Sequence, residues 1–548
     1  MSAELTTLWA RTLLHAARVS GVRDVIASPG SRSTPFVAAA LAESGLAVRA
    51  VVDERSAAFF AVGQAKITGR PSLLIATSGS AATHYAPAVA EAAATHTPLL
   101  VLTADRPPEL HDAGANQTMD QSWLFAERAV DLGAPDPRGL PALARRVAQA
   151  VLRARGGPVH LNAPVHKPLE PVAIDVALPE PPRLSAPERG VDAAAVRHLA
   201  ERLRRAERPL ILCGTVAPAL PFDVALLGRV ADRAGAVVVA DATGPARFRA
   251  GTNIICDKAD WLVMSPTWRR TLMPDLVLLV GSAPLATAWE SVLEEAELHV
   301  VAPQGHPNPT STAASVSLGP LDAMLRALAD ALPEAASASS YRSEWQQGQD
   351  AVNRALETTP SRGFCEADAV RVAIERMPED SVLFLGNSLA PREANLHARA
   401  RERGPRVVAQ RGLSGIDGLI SGAAGAAAAS GAPTLLLLGD VSFLHDVGGL
   451  LTAKEVQTPL AIVVLNNGGG RIFEELPVAT SGVDLRFWTT PHDLDLSHAA
   501  ALYGHRFARP ESPDALAAAV DDALGTPRAT LIEARVTPLS WQKVLERL

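Results

Sequence analysis

The 548-residue chain is predicted to be an α/β protein built from three consecutive parallel-sheet domains. Three observations carry that reading. Apolar runs such as Leu73-Leu-Ile-Ala76, Leu276-Val-Leu-Leu-Val280 and Leu460-Ala-Ile-Val-Val-Leu465 are continuous rather than alternating, as in strands buried on both faces. Stretches of helical character separate them, the pattern of right-handed βαβ crossovers. Loops rich in Gly, Ser, Asn and Arg follow the runs, at the strand ends where open α/β sheets bind ligands.

Taken in order, the first block (residues 1–180) has apolar runs at Val25-Ile-Ala27, Ala50-Val-Val52, Leu73–Ala76, Leu99-Leu-Val-Leu102 and Val159-His-Leu161. A Pro-rich segment, Lys167 to Arg189, reads as an extended linker. The second block (181–345) has runs at Leu210-Ile-Leu-Cys213, Ala236-Val-Val-Val-Ala240, Leu276–Val280 and Leu298-His-Val-Val301. A polar stretch near Ala335 to Gln349 leads into the third block (346–548), with runs at Val382-Leu-Phe-Leu385, Leu435-Leu-Leu-Leu438 and Leu460–Leu465. Ser421 to Gly439 is uncharged, but Pro433 interrupts it. It reads as a buried small-residue helix followed by a strand, not as a membrane span.

Composition excludes several function classes. Hydrophobic residues make up 48%, aromatics 4%, and the net charge is −7, so neither a nucleic-acid surface nor a disordered acidic tail is expected. Cys213, Cys256 and Cys365 form no close pair, which argues against a disulfide framework and a zinc site. Met1-Ser-Ala-Glu-Leu5 lacks the basic-then-apolar pattern of a secretory signal, and a cytoplasmic location is expected.

The chemistry concentrates between Gly439 and Gly470. Two buried strands would place Asp440 and Asn466-Asn467-Gly468-Gly469 at neighbouring carboxyl ends. Mg²⁺ or Mn²⁺ prefers hard oxygen ligands shared between protein and phosphate. Asp440 offers a carboxylate, Asn467 an amide oxygen and Gly469 a backbone carbonyl. Val441-Ser442 opens a predicted helix, Phe443 to Ala453, whose first N–H groups would face phosphate oxygens. Either half alone reads as a strand-end acid or a turn-forming Asn-Gly. Together, 27 positions apart, they read as a diphosphate and metal clamp.

The motif resembles that of thiamine-diphosphate enzymes, which usually begins Gly-Asp-Gly; here Val441 takes the second glycine's place. Three α/β blocks are also the layout of the thiamine-diphosphate decarboxylase and synthase superfamily. The resemblance implies a pyrimidine-binding domain at 1–180, a central domain at 181–345 and a diphosphate-binding domain at 346–548. It further implies that Glu54, between a strand and a helix, activates the cofactor through its aminopyrimidine. By itself Asp53-Glu54 reads as a helix cap complementing the macrodipole.

Several loops narrow the resemblance: Ser28-Pro-Gly-Ser31-Arg32-Ser33, Asp53-Glu-Arg-Ser56, Asp105-Arg106-Pro-Pro108, Gly114-Ala-Asn116-Gln117, Arg411-Gly-Leu-Ser414-Gly-Ile416-Asp-Gly418 and Asn466-Asn-Gly-Gly-Gly-Arg-Ile-Phe473. In this order they are similar to the 2-succinyl-5-enolpyruvyl-6-hydroxy-3-cyclohexene-1-carboxylate synthases of menaquinone biosynthesis. That resemblance implies decarboxylation of 2-oxoglutarate and 1,4-addition of the succinyl unit to isochorismate. Arginine grips carboxylates with paired hydrogen bonds, which suits such substrates.

Carried over by position, Asn387, Ser388, Ser414 and Ser442 lie with the diphosphate or its surroundings, and Ile416 is the apolar wedge under the folded cofactor. Arg392 and Arg411 face the succinyl carboxylate. Ser31, Arg32, Arg106, Asn116 and Gln117 serve isochorismate, and Phe473 and Leu476 line the wall. The family's shared active sites imply a homodimer or tetramer with sites at the subunit interface.

One departure stands out. The family commonly places a Lys or Arg in the loop that reads Gly281-Ser-Ala-Pro-Leu-Ala-Thr-Ala-Trp289 here, and this loop has no cation. Alternatives left open are another 2-oxo-acid carboligase or decarboxylase and a non-catalytic cofactor-binding homologue. A dinucleotide oxidoreductase is disfavoured, because no Gly-x-Gly-x-x-Gly opens a first strand-to-helix turn with an acid about 20 residues on.

Overall fold

The computed structural model describes residues 2–125, 129–133, 135–187, 190–249, 255–334, 340–360 and 363–548. They contain three six-stranded, all-parallel sheets. The chain divides into two compact units. One comprises residues 1–187, 410–431 and 445–457; the other comprises 188–409, 432–444 and 458–548.

The first unit is built on β1 (Asp24–Ala27), β2 (Ala47–Ala50), β3 (Ser72–Ala76), β4 (Leu99–Asp105), β5 (Ala129–Asp131) and β6 (Val159–Pro164), in the order β2-β1-β3-β4-β6-β5. The central strands β3 and β4 are buried throughout, which explains their uninterrupted apolar sequences. Edge strand β2 ends at Ala50, before the Val51-Val52 pair that the hydrophobic pattern assigned to it. Its partly exposed face gives little hydrophobic signal.

The helix Glu54–Thr68 packs on the uncharged helix Leu419–Ser430 with unusual closeness. A Cβ on Gly63 would lie 1.9 Å from the Gly422 carbonyl oxygen, and one on Gly425 would lie 2.0 Å from that of Phe60. Small residues therefore let two backbones touch. The expected small-residue helix is present and its inner positions are buried. No helix among the described residues is long and apolar enough to cross a membrane.

The second unit holds two sheets. One contains β7 (Pro209–Cys213), β8 (Val237–Ala240), β9 (Ile255–Cys256), β10 (Leu276–Val280), β11 (Glu297–Ala302) and β12 (Ser315–Leu318), in the order β12-β11-β10-β7-β8-β9. The other contains β13 (Val382–Leu385), β14 (Arg406–Ala409), β15 (Thr434–Gly439), β16 (Leu460–Asn466), β17 (Arg506–Ala508) and β18 (Ala529–Arg535), in the order β14-β13-β15-β16-β18-β17. The first and third sheets thus share one strand order, and the middle sheet has another. In the shared order the strand sequence reverses between β1 and β3, and again between β13 and β15. Such a switch point opens a crevice at the carboxyl ends.

Two segments differ from expectation. The helix expected over Phe443–Ala453 is two short ones, Asp440–His445 and Gly449–Lys454. They part where buried Asp446 turns its carboxylate onto Ser421, accepting from its N–H at 2.9 Å and its hydroxyl at 3.3 Å. Of the polar stretch near Ala335–Gln349, residues 335–339 lie outside the described residues. From Ser340 the chain is a helix, Ser340–Thr358, which buries Tyr341, Trp345 and Val352 in the core of the second sheet. The Pro-rich segment carries no helix or strand over 167–187, and its last two residues lie outside the described ones.

Candidate cofactor and substrate site

In the second unit the switch point of the third sheet presents Gly386-Asn387-Ser388 after β13 and Asp440 after β15, with Asn466-Asn467 ending the adjacent β16. Asp440 is buried and opens its own helix. Its Oδ1 accepts the Val441 N–H at 2.7 Å, and its Oδ2 accepts those of Gly468 at 2.8 Å and Gly469 at 2.9 Å. His492 Nε2 lies 3.4 Å from Oδ2. Burial pushes the Asp440 carboxyl up, and the three N–H donors and His492 oppose that shift.

Asn467 is held at both its amide and its backbone. Its Nδ2 donates to Glu366 Oε1, and its carbonyl accepts from Arg471 Nε at 2.7 Å. Its Oδ1 is buried without a hydrogen-bond partner. Gly469 has φ 143°, and a Cβ there would lie 2.4 Å from the Thr489 carbonyl oxygen, so no other residue fits. The Gly469 carbonyl accepts the Arg471 N–H at 2.9 Å and keeps a second lone pair.

Buried acidic side chains crowd together here. Burial, with the charges of Glu393 and Asp440, holds the Glu366 carboxyl well above its usual range. Among the described residues no group of three or more His, Cys, Asp and Glu could hold a metal. The donor set is instead one carboxylate, one amide oxygen and one carbonyl. An unclaimed, buried amide oxygen beside a buried carboxyl group fits a hard divalent cation.

The other residues expected near the cofactor in this unit lie as follows. Asn387 is fully buried, and Ser388 (φ 65°) caps the helix Leu389–His397. Arg392 Nη1 donates to the Ser388 carbonyl at 2.6 Å. Ser442 is buried within the helix that Asp440 opens. Phe473, half-buried, and Leu476, 42% exposed, stand on the 3₁₀ turn Arg471–Glu475 and just beyond it.

The cation-free loop Gly281–Trp289 is anchored in the same unit. Leu285 N–H donates to Asp241 Oδ2 and Trp289 Nε1 to Asp260 Oδ1, each at 2.8 Å, while Asn395 Nδ2 bridges the two acids.

In the first unit Glu54 starts the helix Glu54–Thr68. Asp53 is the N-cap, and its Oδ1 accepts the Ser56 N–H at 3.0 Å. Capping therefore falls to Asp53, leaving Glu54 half-buried on the first turn. The Tyr85 hydroxyl, raised by burial, lies near Ser28 and the Glu54 charge.

Arg32 is buried, with its Nη1 donating to the Val165 carbonyl at 2.7 Å and its Nε unpartnered. Arg106 likewise has a buried, unpartnered Nε. Ser31, Asn116 and Gln117 are exposed, and Gln117 takes φ 52° while its carbonyl accepts from Ser78 Oγ at 3.0 Å. The Arg411–Gly418 loop belongs to this unit, with Ser414 at φ 58° and Ile416 half-buried.

Sequence reasoning missed the residues that hold these loops. Fully buried Gln121 accepts the Gly79 N–H at 2.9 Å and donates to the Ala104 carbonyl in β4 and Asn162 Oδ1 in β6, tying its own loop to Gly79 and to two strands. Lys66 pairs with Glu91 25 positions away, while Glu91, Glu366 and Glu393 reach Gly412, Asn467 and Trp541, 321, 101 and 148 positions away. Nothing in their local sequence marks them; Glu366 looks like an ordinary acid in a helix's first turn.

Comparison with known proteins identifies the class first. "Thiamine pyrophosphate enzyme, N-terminal TPP binding domain" matches residues 9–124, and "Thiamine pyrophosphate enzyme, C-terminal TPP binding domain" matches 391–534. A solved structure of benzoylformate decarboxylase from Polynucleobacter necessarius aligns with TM-score 0.73 and 18% identity over 97% of this chain and 99% of that one, a likeness of fold. Fold and site thus define a thiamine pyrophosphate enzyme.

Curated relatives narrow it further. A 2-succinyl-5-enolpyruvyl-6-hydroxy-3-cyclohexene-1-carboxylate synthase of Sorangium cellulosum is 40% identical, covering 97% of this chain and 93% of the relative. Synthases of the same description from Myxococcus xanthus and Geobacillus kaustophilus are 37% and 36% identical, over 95% and 98% of this chain and 93% and 96% of theirs. The chain belongs to this synthase family.

Proposed function

We propose that the protein decarboxylates 2-oxoglutarate and adds the remaining succinyl unit to isochorismate by 1,4-addition, in menaquinone biosynthesis. The observation that carries this reading is the buried, unclaimed Asn467 Oδ1 beside Asp440 at the switch point of the third sheet. Membership of the synthase family supports the choice of substrates.

When bound, thiamine diphosphate would supply the electron sink for decarboxylating a 2-oxo acid, and Mg²⁺ or Mn²⁺ would supply positive charge for its diphosphate. Asp440, Asn467 and the Gly469 carbonyl would hold the metal, with Asn387, Ser388, Ser414 and Ser442 around the diphosphate. Ile416 would give the cofactor an apolar support. Glu54 would hydrogen-bond the cofactor's aminopyrimidine and bias its proton distribution.

Arg392 and Arg411 bind the succinyl carboxylate, and Ser31, Arg32, Arg106, Asn116 and Gln117 orient isochorismate between walls that include Phe473 and Leu476. Burial of the Arg32 guanidinium would strengthen its contact, because a water-poor site screens charge weakly. The unpartnered Nε atoms of Arg32 and Arg106 support roles toward an anion.

The three domains proposed are 1–180, 181–345 and 346–548. The family's shared sites favour a homodimer or tetramer in which Glu54 of one chain and Asp440 of another serve one cofactor. A cytoplasmic location is part of this proposal.

Purified protein supplied with thiamine diphosphate, Mg²⁺, 2-oxoglutarate and isochorismate should release carbon dioxide and consume isochorismate. Turnover with pyruvate but not 2-oxoglutarate would instead indicate a different carboligase. Cofactor uptake with no carbon dioxide from either acid would indicate a non-catalytic homologue.

A further inference from the structure

An amide ligand has two ends, and only one binds a metal. Rotating the Asn467 side chain by half a turn exchanges Oδ1 and Nδ2 with little change in shape, so a metal site built on asparagine needs something to set the orientation. Glu366 does this. Its Oε1, on a side chain 3% exposed, accepts the Asn467 Nδ2 donor. The opposite rotamer would set Oδ1 against a carboxylate oxygen. The consequence is visible at the far end of the amide, where Oδ1 is buried and unpartnered.

Glu366 is itself fixed. It is the first residue of the helix Glu366–Glu375, and its N–H donates to the Thr537 carbonyl at 3.0 Å. Arg471 holds the Asn467 backbone from the other side. The nearby Glu393 is occupied elsewhere, accepting from Trp541 Nε1 at 2.9 Å and facing His397 at 3.2 Å. Glu366 is therefore the carboxylate that grips the amide.

We propose that Glu366 is a positioning residue for the divalent cation, fixing the Asn467 amide with Oδ1 turned to the metal. The inference rests on the clamp reading above. Groups that orient a metal's ligands typically contribute about 10–100-fold in affinity.

The test reads Mn²⁺ binding by electron paramagnetic resonance on the full-length protein with thiamine diphosphate present, alongside circular dichroism for folding. Glu366→Leu should weaken Mn²⁺ binding by about 10–100-fold. Glu366→Gln removes the charge but keeps an acceptor for Nδ2, and should bind within a few-fold of the unaltered protein. A carboxylate presents oxygen whichever way it turns, so adding Asn467→Asp to Glu366→Leu should restore affinity. In the presence of Glu366, Asn467→Asp alone sets two carboxyl groups face to face and gives up the Nδ2 donor, so it should bind less well than the double variant. That reversal of sign is the signature of an orienting role.

Wild-type affinity in Glu366→Leu, a loss in Glu366→Gln as large as in the Leu variant, or no recovery in the double variant overturns the proposal. If Glu366→Leu does not fold, the Gln variant alone decides, since equal affinity supports orientation and a full loss refutes it. Asp440→Ala separates the two levels. If it binds Mn²⁺ normally the clamp itself is wrong, and if it loses binding while Glu366→Leu does not, only the orienting role is wrong.

Discussion

The Glu91 carboxylate accepts the Leu413 N–H at 2.8 Å and the Gly412 N–H at 3.2 Å while facing Lys66 Nζ at 3.3 Å. Both charged side chains are almost wholly buried. The pair thus fastens the loop that begins at Arg411, and Ser414 (φ 58°) follows directly. Burial lowers the Lys66 pKa, and Glu91 opposes that shift.

Removing one partner of such a pair leaves a buried charge uncompensated. Lys66→Met should therefore lower stability by about 3–5 kcal/mol, read as an earlier urea transition. Limited proteolysis should cut first near residues 411–418. Unchanged urea unfolding would show that Glu91 needs no counter-charge.

Glu54→Gln keeps the helix start, because Asp53 is the residue that caps it. Turnover should fall by about 10²–10⁴-fold, the usual scale for losing a proton-managing group. Calorimetric uptake of thiamine diphosphate should change little. Near-normal turnover would remove Glu54 from the chemistry.

Gly63→Ala tests the closest helix contact. The added Cβ would meet the Gly422 carbonyl oxygen at 1.9 Å, which only backbone displacement relieves. Overpacking of this kind costs about 1–3 kcal/mol and should appear as a lowered melting temperature. Gly431→Ala has open space around its Cβ and instead tests a strained φ of 62° at the end of the second helix. A Gly63→Ala melting temperature equal to that of the unaltered protein would contradict the packing described.

Asp446 supplies a pH-dependent contribution. Burial raises its pKa from 3.8 to about 6, against the pull of Ser421 and Arg55. The folded state therefore binds its proton more tightly than the unfolded state does. This contribution is greatest below pH 4 and declines as pH rises to 6, by about 3 kcal/mol in total. Asp446→Asn preserves the shape and can still engage Ser421, so its stability should vary less between pH 4 and 6. Parallel pH profiles for the two proteins would refute the assignment.

What was legible in the sequence follows from burial. Strands such as β15 and β16 are covered on both faces, and their apolar runs could be read directly. The edge strands β2, β9, β12 and β17 are short or partly exposed, and their sequences carry no comparable signal. Asp440, Asn467 and Glu54 were legible because each stands beside a strand end or helix start. Glu91 and Glu366 were not, because their partners lie 321 and 101 positions away.

By itself, then, the sequence determined the three α/β blocks, the loops at their strand ends and the residue types those loops carry. These depend on local periodicity and on which side chains can chelate or grip an anion. Only the tertiary structure decided that the first and third sheets share a strand order, that two glycine-bearing helices pack backbone to backbone, and which end of Asn467 is left open. Each of those depends on contacts between distant residues, where the energy lies in the pairing and neither partner reveals it alone.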